Sequence, residues 1–215
     1  MIELLQFLLD FILHLDTHLV QLLEQYGLWL YAILFVIVFA ETGLVVTPWL
    51  PGDSLLFAVG TLAAIDTSGN LDAATAAGLL IVAAILGNSC NYAIGKFIGP
   101  PAFSGRYRLL RVEYLRQTEA YFARHGGKTV VLSRFLPILR TFAPFVAGVA
   151  RMPYPRFQTY NVLGALSWVS VFLGGGYLFG NIPWVRENFG LVTLGIVGAS
   201  LIPLAVVALR SRWRH

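Results

Sequence analysis

The chain has 215 residues, of which 57% are hydrophobic and only 12% charged, and its mean hydropathy is +0.72. A soluble domain of this size carries about a quarter of its residues as charges. That contrast excludes a water-soluble globule in favour of an integral membrane protein, and no polar stretch is long enough to build a second, soluble domain. The net charge of +4 is not read as a nucleic-acid surface, because the basic residues sit in loops that flank apolar segments, where they set topology. The lone cysteine, Cys90, excludes an internal disulfide.

Residues 1–27 carry Glu3, Gln6, Asp10, His14, Thr17, Gln21 and Glu24 at three- or four-residue intervals. This narrow polar stripe predicts an amphipathic N-terminal helix, lying at the interface or against the bundle. Without Lys or Arg before Gly27, it does not read as a signal peptide. Four apolar runs then predict spanning helices: Leu28–Val46, Ala73–Gly99, Phe157–Ile182 and Phe189–Leu209. The core of the protein is placed at 28–182, with a C-terminal helix and basic tail over 183–215. Two further apolar segments, near 47–65 and 129–150, contain helix breakers: Pro51-Gly52 in one, Pro137 and Pro144 in the other. Between them lies a polar arm, 100–128, rich in arginine.

Charge bookkeeping decides how the two odd segments sit. If each crossed fully, the basic arm and the tail RSRWRH (Arg210–His215) would lie on opposite faces, against the positive-inside preference. If each enters and returns on one side, the arm, the Arg151–Arg156 loop and the tail all lie inside. The loop with Asp66 and Asp72 lies outside. The expected fold is therefore an all-α polytopic membrane protein. It has about four transmembrane helices, two opposed re-entrant broken-helix segments forming an inverted repeat, and both termini in the cytoplasm.

Four ionisable residues fall at membrane depth: Glu41, Asp53, Arg134 and Arg140. Each would cost about 2.5–3.5 kcal/mol at a helix centre, so such groups pair or line a polar cavity. Asp53 also suits the N-cap of the helix that follows it. Glu41 could lie near enough to the surface to be solvated, and Arg134 could snorkel to the interface. Arg140 sits mid-segment and has no such excuse. A guanidinium pair in a dry cleft suits a phosphate, and carboxylates beside it suit proton traffic. Asn88, Tyr92 and Asn161 are supporting polar groups at helical spacing, each equally open to a packing role, and the glycines among them read as close helix packing. No cofactor or metal is expected.

Several stretches together resemble the DedA family, also called the SNARE-associated Golgi protein or VTT-domain family. They are ETGLVVTPWLPGDSLLF, GNSCNYAIGKFIG, HGGKTVVLSRFLPILRTFAPFVAG, YNVLGALSW and GYLFG, and they cover most of Ile33–Gly180. The resemblance implies a multi-pass protein of the bacterial inner membrane with opposed re-entrant hairpins and a part in envelope homeostasis. It implies transport linked to the proton motive force, in some members of undecaprenyl phosphate, and in distant relatives phospholipid scrambling. It assigns the essential acidic and basic roles to Glu41, Asp53, Arg134 and Arg140. Many members have Asp where this chain has Asn88. The reading carried forward is a transporter, not an enzyme. It flips a lipid phosphate, with Arg134 and Arg140 holding the head group and Glu41 and Asp53 coupling protons. A proton-driven small-ion or drug transporter and a scramblase are the alternatives. Membrane lipids, protons and a second copy of the chain are the expected partners.

Overall fold

The computed structural model describes residues 15–44, 52–66, 69–102, 126–180, 182–196 and 198. Among them the chain is all-helical, with no strand. In order the helices are α1 (Leu15–Tyr26), α2 (Trp29–Gly43), α3 (Gly52–Ile65), α4 (Ala73–Ala102), α5 (126–133), α6 (Pro137–Val149), α7 (Tyr154–Phe179), α8 (Pro183–Glu187) and α9 (189–196).

At 1.5 Å per residue, the 30 residues of α4 and the 26 of α7 reach roughly 45 and 39 Å, more than the ~30 Å hydrocarbon layer. Only a third of each apolar window is buried within the protein. The outward faces carry Val82, Leu86, Phe97 and Ile98 on α4, and Leu163, Leu166, Val171 and Leu178 on α7. The inward faces carry Asn88, Asn91 and Asn161. Large apolar residues outside and amides inside is the pattern of helices bathed in lipid. The protein is a helical membrane protein with two clear apolar spans.

The other two expected spans are described only in part. The segment Leu28–Val46 forms α2, whose 15 residues reach only about 22 Å, and residues 45–51 lie outside the described set. The segment Phe189–Leu209 is helical over 189–196, and most of the remainder lies outside the described residues. So do residues 1–14, most of the basic arm, and the tail.

The chain folds as two compact units. One takes 1–35, 51–80 and 169–215; the other takes 36–50 and 81–168. In the first unit α1 packs against α3, and Leu19 and Leu23 are buried. Residues Gly52–Leu62 of α3 are all buried. The helix seats on the C-terminal half of α7 through glycine. A Cβ at Gly60 would lie 2.0 Å from the Leu173 carbonyl oxygen, and one at Gly176 would lie 2.0 Å from that of Phe57.

The second unit repeats the device with α6 and α4. A Cβ at Gly148 would lie 2.1 Å from the Tyr92 carbonyl oxygen, and one at Gly95 would lie 2.0 Å from that of Phe145. In each case a Phe-x-x-Gly step, Phe57–Gly60 or Phe145–Gly148, meets a glycine three residues beyond its own contact. Such glycines let helix backbones touch. The two units are thus built on one packing motif.

The second odd segment is broken before Pro137, whereas Pro144, also expected to break it, lies inside the continuous helix α6. Helix α5 tightens over its last residues into i→i−3 bonds, from Arg134 N to Val131 O, Phe135 N to Leu132 O and Leu136 N to Ser133 O. Leu136 is extended (φ −122°, ψ 106°), as a residue before proline must be, and Pro137 starts α6. Helices α5 and α6, of eight and 13 residues, are each too short to cross a bilayer alone.

Candidate functional site

The second unit holds a buried polar cluster. Glu41 rides near the C-terminal end of α2, Arg134 stands at the break after α5, and Arg140 lies in the first turn of α6. All three are at most 2% exposed. Arg140 Nη2 donates to Glu41 Oε1 in a buried ion pair. Arg134 is held differently. Its Nη2 donates to Asn161 Oδ1 at 2.8 Å and to the Ala84 carbonyl at 3.1 Å. Its Nε and Nη1 are buried and have no hydrogen-bond partner among the described residues. A guanidinium has five N–H donors, so three of the five on Arg134 are unspent.

Trp168 lies beside both arginines, its ring centroid 5.9 Å from the Arg134 guanidinium carbon and 5.1 Å from that of Arg140. Its π face offsets part of the cost of two like charges in one dry site. Asn161 is the anchor of the arrangement. Besides Arg134, its Oδ1 accepts from Asn88 Nδ2 at 3.1 Å, and its Nδ2 donates to the Ile85 carbonyl (3.1 Å) and to Gln158 Oε1 (3.2 Å). Ser89 Oγ joins Gln158 at 3.1 Å and carries the network towards the half-buried face of α4.

Among the described residues of this unit, two guanidiniums and one carboxylate, Glu41, are buried together. Arg134 keeps unspent donors beside Trp168, among apolar helices. Arg134 does not snorkel and Glu41 is not solvated, since each is fully buried.

Asp53 belongs to the other unit. It is buried in the first turn of α3, one residue inside the helix rather than ahead of it, where its charge complements the helix N-terminus. The cluster therefore unites Glu41, Arg134 and Arg140 with Asn88 and Asn161, and does not include Asp53 within its unit. Tyr92 stands apart from the guanidiniums. Its hydroxyl donates to the Met152 carbonyl, and its ring stacks on Phe157 at 4.5 Å in an apolar cluster with Val130 and Ala147.

Sequence reasoning passed over Asn91, whose Nδ2 donates to the backbone carbonyls of Thr42 and Thr141 at 3.2 and 2.8 Å. The available signal was its position midway between Gly87 and Gly95 on the same face of α4.

The VTT domain model matches residues 50–178. Over 211 residues the chain is 49% identical to Protein DedA of Escherichia coli (strain K12), covering 98% of this chain and 96% of that protein. It is 40% identical over 174 residues to an uncharacterized membrane protein of Mycobacterium leprae (strain TN), covering 80% of this chain and 77% of the relative. It is 32% identical over 206 residues to the inner membrane protein YghB of Escherichia coli (strain K12), covering 90% of each. No solved structure matches.

Proposed function

The chain belongs to the DedA family of VTT-domain membrane proteins, and from that premise we propose that it is a transporter which flips a lipid phosphate, such as undecaprenyl phosphate, across the bacterial inner membrane. The observation that carries this reading is Arg134, a fully buried guanidinium with three unspent donors. Each unmet buried donor costs about 1–3 kcal/mol, and an entering phosphate oxygen offsets that cost.

Arg134, fixed through Asn161, makes the first contact with the phosphate. Arg140 is held by Glu41 until Glu41 takes a proton, and the freed guanidinium then closes on the same head group. Loss of that proton on the far side restores the Glu41–Arg140 pair and expels the phosphate. The inward proton gradient thereby drives the cycle, and Asp53 supplies a second proton-carrying carboxylate. The lipid tail stays in hydrocarbon throughout, so only the head group needs a polar path. The short α3 and the broken α5–α6 are read as the two re-entrant segments, with both termini cytoplasmic. That topology lets each segment expose a helix break at mid-membrane.

The test is flipping of undecaprenyl phosphate in proteoliposomes with an imposed pH gradient. Wild type moves the lipid at a rate that collapses with a protonophore. Arg134→Ala inserts normally and moves it at the background rate. Arg134→Ala protein flipping at the wild-type rate overturns the reading. Uptake of soluble anions or drugs by wild type without lipid flipping would favour the small-solute alternative.

A further inference from the structure

Asn91 has no role in the exchange just described, yet its side chain touches both halves of it. Its amide nitrogen donates to the carbonyl of Thr42, the residue after Glu41, and to that of Thr141, the residue after Arg140. Thr42 is in the last turn of α2, where carbonyls lack intrahelical partners. Thr141 lies in α6, in the turn before Pro144.

The helix face around Asn91 is shaped for the same task. One turn before it, Gly87 admits α2, because a Cβ there would lie 2.9 Å from the Phe39 carbonyl oxygen. One turn after it, Gly95 admits α6 at the Phe145 carbonyl. Gly87, Asn91 and Gly95 thus form one seat on α4 for the helix that brings the carboxylate and the helix that brings the guanidinium. Asn91 Oδ1 is buried and has no hydrogen-bond partner among the described residues, so only the nitrogen end of the amide is in use.

We propose that Asn91 is the positioning residue of the Glu41–Arg140 ion pair: one amide nitrogen sets the register of α2 against α6, and so delivers carboxylate to guanidinium. This rests on the reading of that pair as the working centre of a transporter. When Asn91 loses its nitrogen, the two helices slide on the smooth glycine seat, the pair opens and the exchange slows at fixed affinity for lipid.

The experiment labels carboxyl groups with dicyclohexylcarbodiimide, a membrane-permeant reagent, in the full-length protein in proteoliposomes, and reads Glu41 and Asp53 separately by peptide mass spectrometry. In Asn91→Ala, Glu41 is expected to label several-fold faster than in wild type, with Asp53 unchanged. Asn91→Gln, which keeps the amide, is expected to fall between them. Flipping of undecaprenyl phosphate is expected to lose maximal rate with little change in the concentration of lipid at half-rate. Wild-type labelling of Glu41 in Asn91→Ala, or equal acceleration at Asp53, overturns the proposal. If Asn91→Ala fails to insert, Asn91→Gln against wild type decides on the same criterion. Should wild type move no lipid phosphate, the functional reading falls while the labelling still decides the role of Asn91.

Discussion

Removing Glu41 should destabilise the protein more than removing the arginine it pairs with. The reasoning is a charge count. Counted over the described residues of the second unit alone, the buried cluster holds Arg134, Arg140 and Glu41, a net charge of +1. Glu41→Leu leaves two guanidiniums and +2. Arg140→Leu leaves Arg134 with Glu41 and no net charge. The double substitution leaves Arg134 alone, at the wild-type +1.

Breaking a buried pair by deleting one partner costs about 3–5 kcal/mol. The two arginines add to that in one case only. Their guanidinium carbons lie 5.9 and 5.1 Å from the same Trp168 ring centroid, so they are no more than about 11 Å apart. At an effective dielectric of about 20, their repulsion is then at least ~1.5 kcal/mol. In Arg140→Leu that repulsion is gone; in Glu41→Leu it remains without its counter-charge. Replacing both members of a buried pair by apolar groups is often neutral. The expected order of stability is therefore Glu41→Leu below Arg140→Leu, and both below Glu41→Leu/Arg140→Leu, which lies within about 1 kcal/mol of wild type. Thermal unfolding of purified protein in one detergent, followed by fluorescence-detected size-exclusion, reads the order. The double variant flips no lipid phosphate despite its stability. Equal loss in the two single variants, or losses that add in the double, would refute the charge count.

Other consequences can be checked with the same material. Gly148→Ala and Gly60→Ala place a methyl carbon about 2 Å from a carbonyl oxygen of the partner helix, and backbone cannot step aside cheaply. Each is expected to cost about 1–3 kcal/mol or more by overpacking, whereas Gly78→Ala, with open space around it, leaves the melting temperature unchanged or raised. Asn88→Asp replaces the donor to Asn161 Oδ1 with a carboxylate beside Arg134, which competes with an anion for that guanidinium, so binding of undecaprenyl phosphate at neutral pH, read by native mass spectrometry, should weaken at least tenfold. Asp72 caps the start of α4 through the Thr75 backbone N–H at 2.7 Å, and that bond and the Thr75 hydroxyl hold its carboxyl below the usual 3.8. A depressed carboxylate stabilises the helix start above the unfolded value and stops doing so as pH falls through the folded value. Amide exchange at Thr75, corrected for intrinsic rate, should therefore accelerate below about pH 4, and Asp72→Asn should remove that step.

The spans α4 and α7 were legible because their apolar runs are long and carry almost no charge. Arg140 was legible for a different reason: a charge in mid-segment must find a partner. That Glu41 would meet it was not, since the two lie 99 residues apart along the chain and only packing brings them together. Tyr92 shared a helix face with Asn88, yet sterics gave its ring to Phe157 and its hydroxyl to Met152. Asn91 was illegible because its acceptors are backbone carbonyls, of Thr42 and Thr141, each about 50 residues away along the chain.

The cluster also contains its own argument against a purely structural role. Arg134 has donors to spare at Nε and Nη1, and the same unit buries two unused acceptors, Asn88 Oδ1 and Asn91 Oδ1. A core selected for stability would turn these towards one another, or replace them with leucine at no loss. Each unmet group costs about 1–3 kcal/mol, so four of them approach the whole stability of an ordinary domain. The fold holds them apart with fixed elements: Arg134 by Asn161, and Asn91 by two carbonyls of helices that glycines bring close. Under the proposed function, these unmatched groups are the ones an arriving anionic head group would meet.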